Sequence, residues 1–171
     1  MYSQDYGLGE MTGPENGFSM LGGLVRPASR GEITLTGPSP EDPLRIDLGA
    51  LSEQADVDAL VASVRQCREI GRSEALANWE PKELHPGPAV SDSDEDLAQY
   101  VRDSVVTYHH QVGTCRMGID DLAVVDPADL KVRGLSGIRI ADASVMPMVP
   151  TGNTNAPTVM IAERAAGMIL G

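Results

Sequence analysis

The sequence predicts an α+β fold, an antiparallel sheet flanked by helices. Three observations carry that expectation. Residues 32–36 (E-I-T-L-T) and 44–48 (L-R-I-D-L) alternate polar and apolar side chains, the pattern of half-buried strands. Residues 52–73 and 92–106 repeat apolar side chains at helical spacing. Residues 138–141 (I-R-I-A) read as a short buried strand, and those from Thr158 to Leu170 as a helix apolar on most sides and therefore largely buried.

In chain order, residues 1–23 are glycine-rich without period and read as a loop or extended arm, of the kind that lies along a partner. The two alternating runs are joined by G-P-S-P-E-D-P, a turn-rich link that makes an antiparallel pair the simplest arrangement. The first helix, 52–73, takes Ser52 as its N-cap, with Glu53, Asp56 and Asp58 near the positive end of its dipole. Its stripe is Val57, Leu60, Val61, Val64, Cys67, Arg68 and Gly71, so Cys67 is expected as a buried structural thiol. Residues 78–91 hold three prolines and form a long connection, with Trp79 and His85 on it and His85 expected at the surface. The second helix, 92–106, is capped by Asp92 or Ser93 and turns Leu97, Tyr100, Val101 and Val105 to the core. Residues 122–142 alternate short strands and turns, and end at Asp142. That carboxylate faces a ligand or caps the next turn. The loop 147–155 (P-M-V-P-T-G-N-T-N) leads into the last helix, with Pro157 in its first turn.

The 171 residues suffice for a domain with a core of its own, and scarce aromatics make that core aliphatic. A net charge of −12 argues against nucleic acid and anionic membranes as partners. Two cysteines, Cys67 and Cys115, are too few for a disulfide framework, and no His/Cys cluster has metal-ligand spacing, so no metal is expected. There is no apolar run of membrane-spanning length and no signal-peptide pattern, so the expected setting is soluble and cytoplasmic.

The stretch richest in chemistry is T-Y-H-H-Q-V-G-T-C-R-M-G, residues 107–118. It places His109 and His110 side by side, and histidine is the default proton-transfer group near neutrality. Residues 137–166 are equally dense, and the two stretches are expected to fold together as half of an active site. The last helix starts from an Asn-rich loop, and its N-terminus can receive an electron-rich ligand atom. Cys115 has no cationic or metal partner in sequence and is read as structural. Met117, Met146, Met148 and Met160 are read as packing.

Residues 110–118 (H-Q-V-G-T-C-R-M-G), 123–127 (A-V-V-D-P), 130–134 (L-K-V-R-G), 138–147 (I-R-I-A-D-A-S-V-M-P) and 152–166 (G-N-T-N-A-P-T-V-M-I-A-E-R-A-A) resemble, in order, the C-terminal segment of the glucose–methanol–choline (GMC) flavoprotein oxidoreductases. R-P-A-S-R-G at 26–31 is similar to the start of a strand in that family, so the resemblance covers roughly residues 20–171. It implies oxidation of an alcohol or sugar C–OH to a carbonyl with FAD. It places the catalytic base at His110 and the second catalytic residue at Asn155, with Asn153 as the rival. His109 takes an accessory place beside the base. Asp142 and Ala143 align with the turn that contacts the ribityl–pyrophosphate region of FAD. Asn155, Ala156, Pro157 and Thr158 align with the helix start beside the flavin N1/O2 edge, where Thr158 or Val159 would supply any backbone N–H because proline has none.

The resemblance also implies three spans: the arm at 1–23, part of a substrate-binding domain at 24–121, and a C-terminal segment at 122–171 that completes the FAD domain of a partner chain. A G-x-G-x-x-G unit following a strand and opening a helix is absent from the sequence, and Gly7, Gly9, Gly22 and Gly23 lack that context. The expectation is a small catalytic subunit that acts with a separate Rossmann-type FAD-binding subunit. The alternatives are a non-catalytic or regulatory module of the same descent, or a lyase variant with structural flavin.

Overall fold

A computed structural model describes residues 16–171, so the expected arm at 1–23 lies mostly outside the described residues. The chain forms two compact units. One takes in residues 16–24 and 50–106, the other 25–49 and 107–171.

The first unit is built on two helices. α1 spans Gln54–Gly71 and α2 spans Asp94–Ser104. Val57 and Val61 of α1 meet Leu97 and Val101 of α2 in a buried cluster, with Leu51, Leu60, Val64, Val90 and Ala98 packed around it. Each such side chain contributes about 1.5–3 kcal/mol when fully buried. Ser93 caps α2, its hydroxyl accepting the Asp96 amide at 3.1 Å. Ser52 does not cap α1: Glu53 holds that place and makes no side-chain cap bond. Cys67 is half-buried rather than buried, and Val105 leaves the helix and is exposed, because the shared face of two helices covers only one stripe on each.

Arg68 sits on the apolar stripe of α1 and is nonetheless buried. Its guanidinium reaches Glu83 (2.8 Å), Asp92 (2.5 Å) and the carbonyls of Val90 (2.8 Å), Ser91 (3.2 Å) and Gly87 (3.4 Å). The connection 80–92 is therefore wrapped around one cation. A buried charge is tolerable only when hydrogen-bonded in this way. Ahead of that connection, Glu74–Trp79 forms a 3₁₀ helix that no periodicity announced. His85 is exposed, as expected.

In the second unit, β1 (Glu32–Leu35) and β2 (Leu44–Asp47) pair antiparallel, Ile33 opposite Ile46 and Leu35 opposite Leu44. The link between them is closed by Asp42, which accepts the Ser39 amide at 2.9 Å, and by the Thr36 hydroxyl donating to the Pro43 carbonyl at 2.6 Å. The strands are not half-buried: Ile33, Leu35, Leu44 and Ile46 are all exposed. A two-stranded ribbon has a face to bury and no sheet of its own to bury it in.

Residues 107–171 hold a second core of Val125, Leu130, Val145, Met146, Ile161 and Ala165. Around it the chain makes isolated bridges rather than strands, Met117 with Val125, Val125 with Val132 and Lys131 with Arg139. The expected buried strand at 138–141 is thus corrected. Ile138 is exposed, and among the described residues its stretch bonds to one neighbour, through Val132 N–H to Ile138 O (3.1 Å) and Ile140 N–H to Leu130 O (3.1 Å). α3 spans Asn155–Leu170 and turns only Ile161 and Ala165, one turn apart, fully into the core. Val159, Met160, Ile169 and Leu170 are exposed, so the expectation of a largely buried helix is also corrected for this chain. Met117 and Met146 pack into the core as expected, whereas Met148 and Met160 are exposed. Among the described residues no helix is long and apolar enough to cross a membrane.

Candidate active site

The two chemistry-rich stretches fold against each other. The Cys115 amide donates to the Ser144 carbonyl (3.0 Å) and the Met117 amide to the Val145 carbonyl (2.8 Å). Cys115 packs on the core beneath, in keeping with a structural thiol. Gly113 sets the crossing. Its φ is +91°, and a Cβ there would lie 3.1 Å from the Met146 carbonyl oxygen. Only glycine meets both conditions without strain.

Before that crossing the chain turns sharply. His109 is left-handed (φ +61°), and its amide donates to the Thr107 hydroxyl at 3.1 Å, which also accepts the Gln111 amide side chain. The turn brings the His109 carbonyl to 3.1 Å from Nδ1 of the next residue, His110. The same Nδ1 lies 3.2 Å from the Thr154 hydroxyl. The Tyr108 ring meets the His110 ring edge-on, centroids 5.0 Å apart and planes at 87°. On the far side of the ring Nε2 is buried and has no hydrogen-bond partner among the described residues. A buried polar atom without a partner is uncommon in folded proteins, and one on an imidazole is a place for a ligand atom.

Thr154 comes from the other stretch, at the N-cap of α3. An N-cap threonine ordinarily accepts the amide of the second or third helical residue. Here the third helical residue is Pro157, which has no N–H, and Thr154 is itself in the right-handed helical region. Its side chain makes no cap bond, and its hydroxyl is directed to His110 instead. Asn155 is the next residue in the chain and opens the helix. Asn153 lies in the preceding loop.

The helix start departs from expectation in one respect. The Thr158 amide donates to the Thr154 carbonyl (3.0 Å), as does the Thr158 hydroxyl (2.6 Å), and the Val159 amide lies within the helical ladder. Neither is spare. The amides of Asn155 and Ala156 are the ones with no intrahelical acceptor. Asp142 is the cap of the next turn: its carboxylate accepts the Ser144 amide at 2.8 Å and the Ser144 hydroxyl, and Ala143 begins the 3₁₀ turn 143–145. His109 is an exposed residue, and its carbonyl lies against Nδ1 of His110. Thr154 was not singled out from sequence, because its hydroxyl serves a residue 44 positions away. The local signal was Pro157, which denies an N-cap side chain its usual partner.

A family model described as GMC oxidoreductase matches residues 27–162. The chain belongs to the GMC oxidoreductase family. An alcohol dehydrogenase [acceptor] of Pseudomonas putida is 46% identical over 144 residues, which is 84% of this chain and 26% of that protein. The crystal structure of pyridoxine 4-oxidase from Mesorbium loti superposes with a TM-score of 0.75 at 36% identity, covering 84% of this chain and 28% of the other. An FAD-dependent oxidoreductase from Chaetomium thermophilum superposes with a TM-score of 0.78 at 29% identity, covering 85% and 25%. The mixed helix-and-strand fold with its small antiparallel sheet is therefore that of GMC oxidoreductases, and the chain spans about a quarter of the length of these relatives.

Proposed function

We propose that this GMC oxidoreductase chain supplies the acid–base half of an enzyme that oxidises the C–OH group of an alcohol or sugar to a carbonyl. The observation that carries the reading is His110, with Nδ1 engaged on one side and a buried, unpartnered Nε2 on the other.

Oxidation of a carbinol removes two hydrogens, one as a proton from oxygen and one as a hydride from carbon. The imidazole of His110 takes the proton at Nε2. The Asn155 side-chain amide, from the residue that follows Thr154, would donate to the substrate oxygen and orient it without competing for the proton. FAD, when bound, supplies the hydride acceptor. The chain's own residues fit that cofactor at the start of α3. The Asn155 and Ala156 amides point out of the helix, and its positive end favours the electron-rich N1/O2 edge. Pro157 and Thr158 form the wall of that first turn. Asp142, with one carboxylate oxygen capping its turn beside Ala143, would offer the other to a ribityl hydroxyl, and His109 would take an accessory place beside the base.

The dinucleotide part of FAD is held by a Rossmann-type half that lies outside these residues, proposed here as a separate subunit. Support comes from the apolar surface left uncovered. Met160 and Leu170 of α3 are 60% and 86% exposed, and Leu35 and Ile46 of the hairpin 80% and 64%. Patches of this kind mark a protein interface.

The test is anaerobic mixing of the assembled yellow protein with a panel of primary alcohols, amino alcohols and sugars. Bleaching of the flavin absorbance by at least one class is expected. Assembled flavoprotein that no member bleaches would remove the proposed activity.

A further inference from the structure

We infer that Thr154 and the main-chain carbonyl of His109 are positioning groups that hold His110 in the tautomer with its proton on Nδ1, leaving the buried Nε2 as the basic atom. The inference rests on the function proposed above for its relevance to turnover. Its geometry stands on the fold alone.

The carbonyl is the deciding partner. A carbonyl oxygen can only accept, so a contact of 3.1 Å with Nδ1 is a hydrogen bond only if Nδ1 bears the proton. A neutral imidazole has one proton to place, and Nε2 is then the lone pair. The carbonyl is held there by the left-handed turn at His109, pinned through its amide to Thr107. The second partner, Thr154 Oγ1 at 3.2 Å, can accept from the same Nδ1–H or donate to an unprotonated Nδ1. With the carbonyl already fixing the proton, the hydroxyl is the second acceptor of a shared hydrogen bond.

Two further observations separate this from chance proximity. The Thr154 hydroxyl has been released from capping, since Pro157 offers no amide at the third helical position and the side chain makes no cap bond. Its carbonyl, in turn, takes both the amide and the hydroxyl of Thr158, which ties the ring's second partner to the first turn of α3. When His110 gains a proton at Nε2, both acceptors face the cation at Nδ1 and stabilise it. Among the described residues, titratable groups beside the ring include Tyr108, packed edge-on, and the neighbouring His109.

The experiment compares wild type, Thr154→Val and Thr154→Ser in the assembled holoenzyme, with His110→Ala as reference. Loss of the hydroxyl should lower kcat/KM about three- to tenfold, the effect of one hydrogen bond of ordinary strength. It should also move the acid limb of the pH profile to lower pH, because the imidazolium loses an acceptor. Thr154→Ser should restore both. Nitrogen NMR of histidine-labelled protein should show His110 protonated on Nδ1 in wild type and, because the His109 carbonyl stays in place, in the valine variant as well.

An unmoved acid limb in Thr154→Val, or a limb moved to higher pH, overturns the inference. The latter would mean that the threonine donates and Nε2 carries the proton. If His110→Ala abolishes turnover while Thr154→Val changes nothing, only this inference falls. If His110→Ala turns over normally, the proposed function falls, and the NMR result still decides the tautomer.

Discussion

Replacing Arg68 with methionine should unfold the first unit more readily than any single apolar truncation at its surface. The guanidinium holds five oxygens, two from carboxylates and three from carbonyls, and its side chain is 6% exposed. Burial works against the charge, but the bonds from Glu83 and Asp92 outweigh it and raise the pKa of Arg68 above its ordinary value. Removing one member of a fully buried ion pair costs about 3–5 kcal/mol. The full figure does not apply here, because the side chains of Glu83 and Asp92 are 28% and 57% exposed and regain water. Methionine also keeps the apolar stem. The net loss should be about 2–3 kcal/mol, most of it from the Val90, Ser91 and Gly87 carbonyls stranded when the connection loses its anchor. Urea unfolding followed by helical circular dichroism measures it, and a midpoint shift of about 1 M or more is expected at an ordinary slope. Tryptic cleavage at Lys82 should accelerate in parallel. A change below about 0.5 kcal/mol, the range of an ordinary surface substitution, would refute the view that one cation organises residues 80–92.

Three further outcomes follow from the fold. Gly113→Ala should cost about 1–3 kcal/mol, from the left-handed backbone and the tight approach to Met146 O, and an unchanged thermal midpoint would contradict the account of that crossing. Acid should destabilise the chain. Asp92, Asp96, Asp120 and Asp129 are held below the ordinary 3.8 chiefly by hydrogen bonds from Arg68, Ser91, Arg116 and Lys131 respectively. Folded-state values below unfolded ones mean stability that is complete above pH 3.8 and lost as pH falls beneath it, so a urea midpoint that rises on acidification would contradict these pairings. Met160→Glu, on the exposed face of α3, should leave circular dichroism unchanged and abolish co-elution with the flavin-binding half; intact co-elution would remove α3 from the interface.

What sequence reasoning reached was local. Alternation in E-I-T-L-T and L-R-I-D-L located both strands of the hairpin, because a two-residue period is written in adjacent positions. The cap of α2 was legible as Asp92 or Ser93, and the structure selects Ser93, whose partner, the Asp96 amide, is three residues on. The apolar run I-R-I-A misled, since a buried strand needs neighbours on both sides and this chain offers one. The composition of α3 implies burial, whereas burial depends on what stands around it. Arg68 was placed correctly on its stripe, but the oxygens that make its burial possible lie 15 to 24 residues later. Of the site, His110 and the start of α3 were visible through motif and helix signals. The contact that joins them, Thr154 to His110, spans 44 residues and leaves no periodic trace.

The most direct measurement of the central claim is the rate of anaerobic flavin reduction in the assembled enzyme carrying His110→Ala. A general base contributes about 10²–10⁴-fold. The variant should assemble, bind flavin and be reduced by substrate more slowly by a factor in that range. Reduction at the wild-type rate would contradict it.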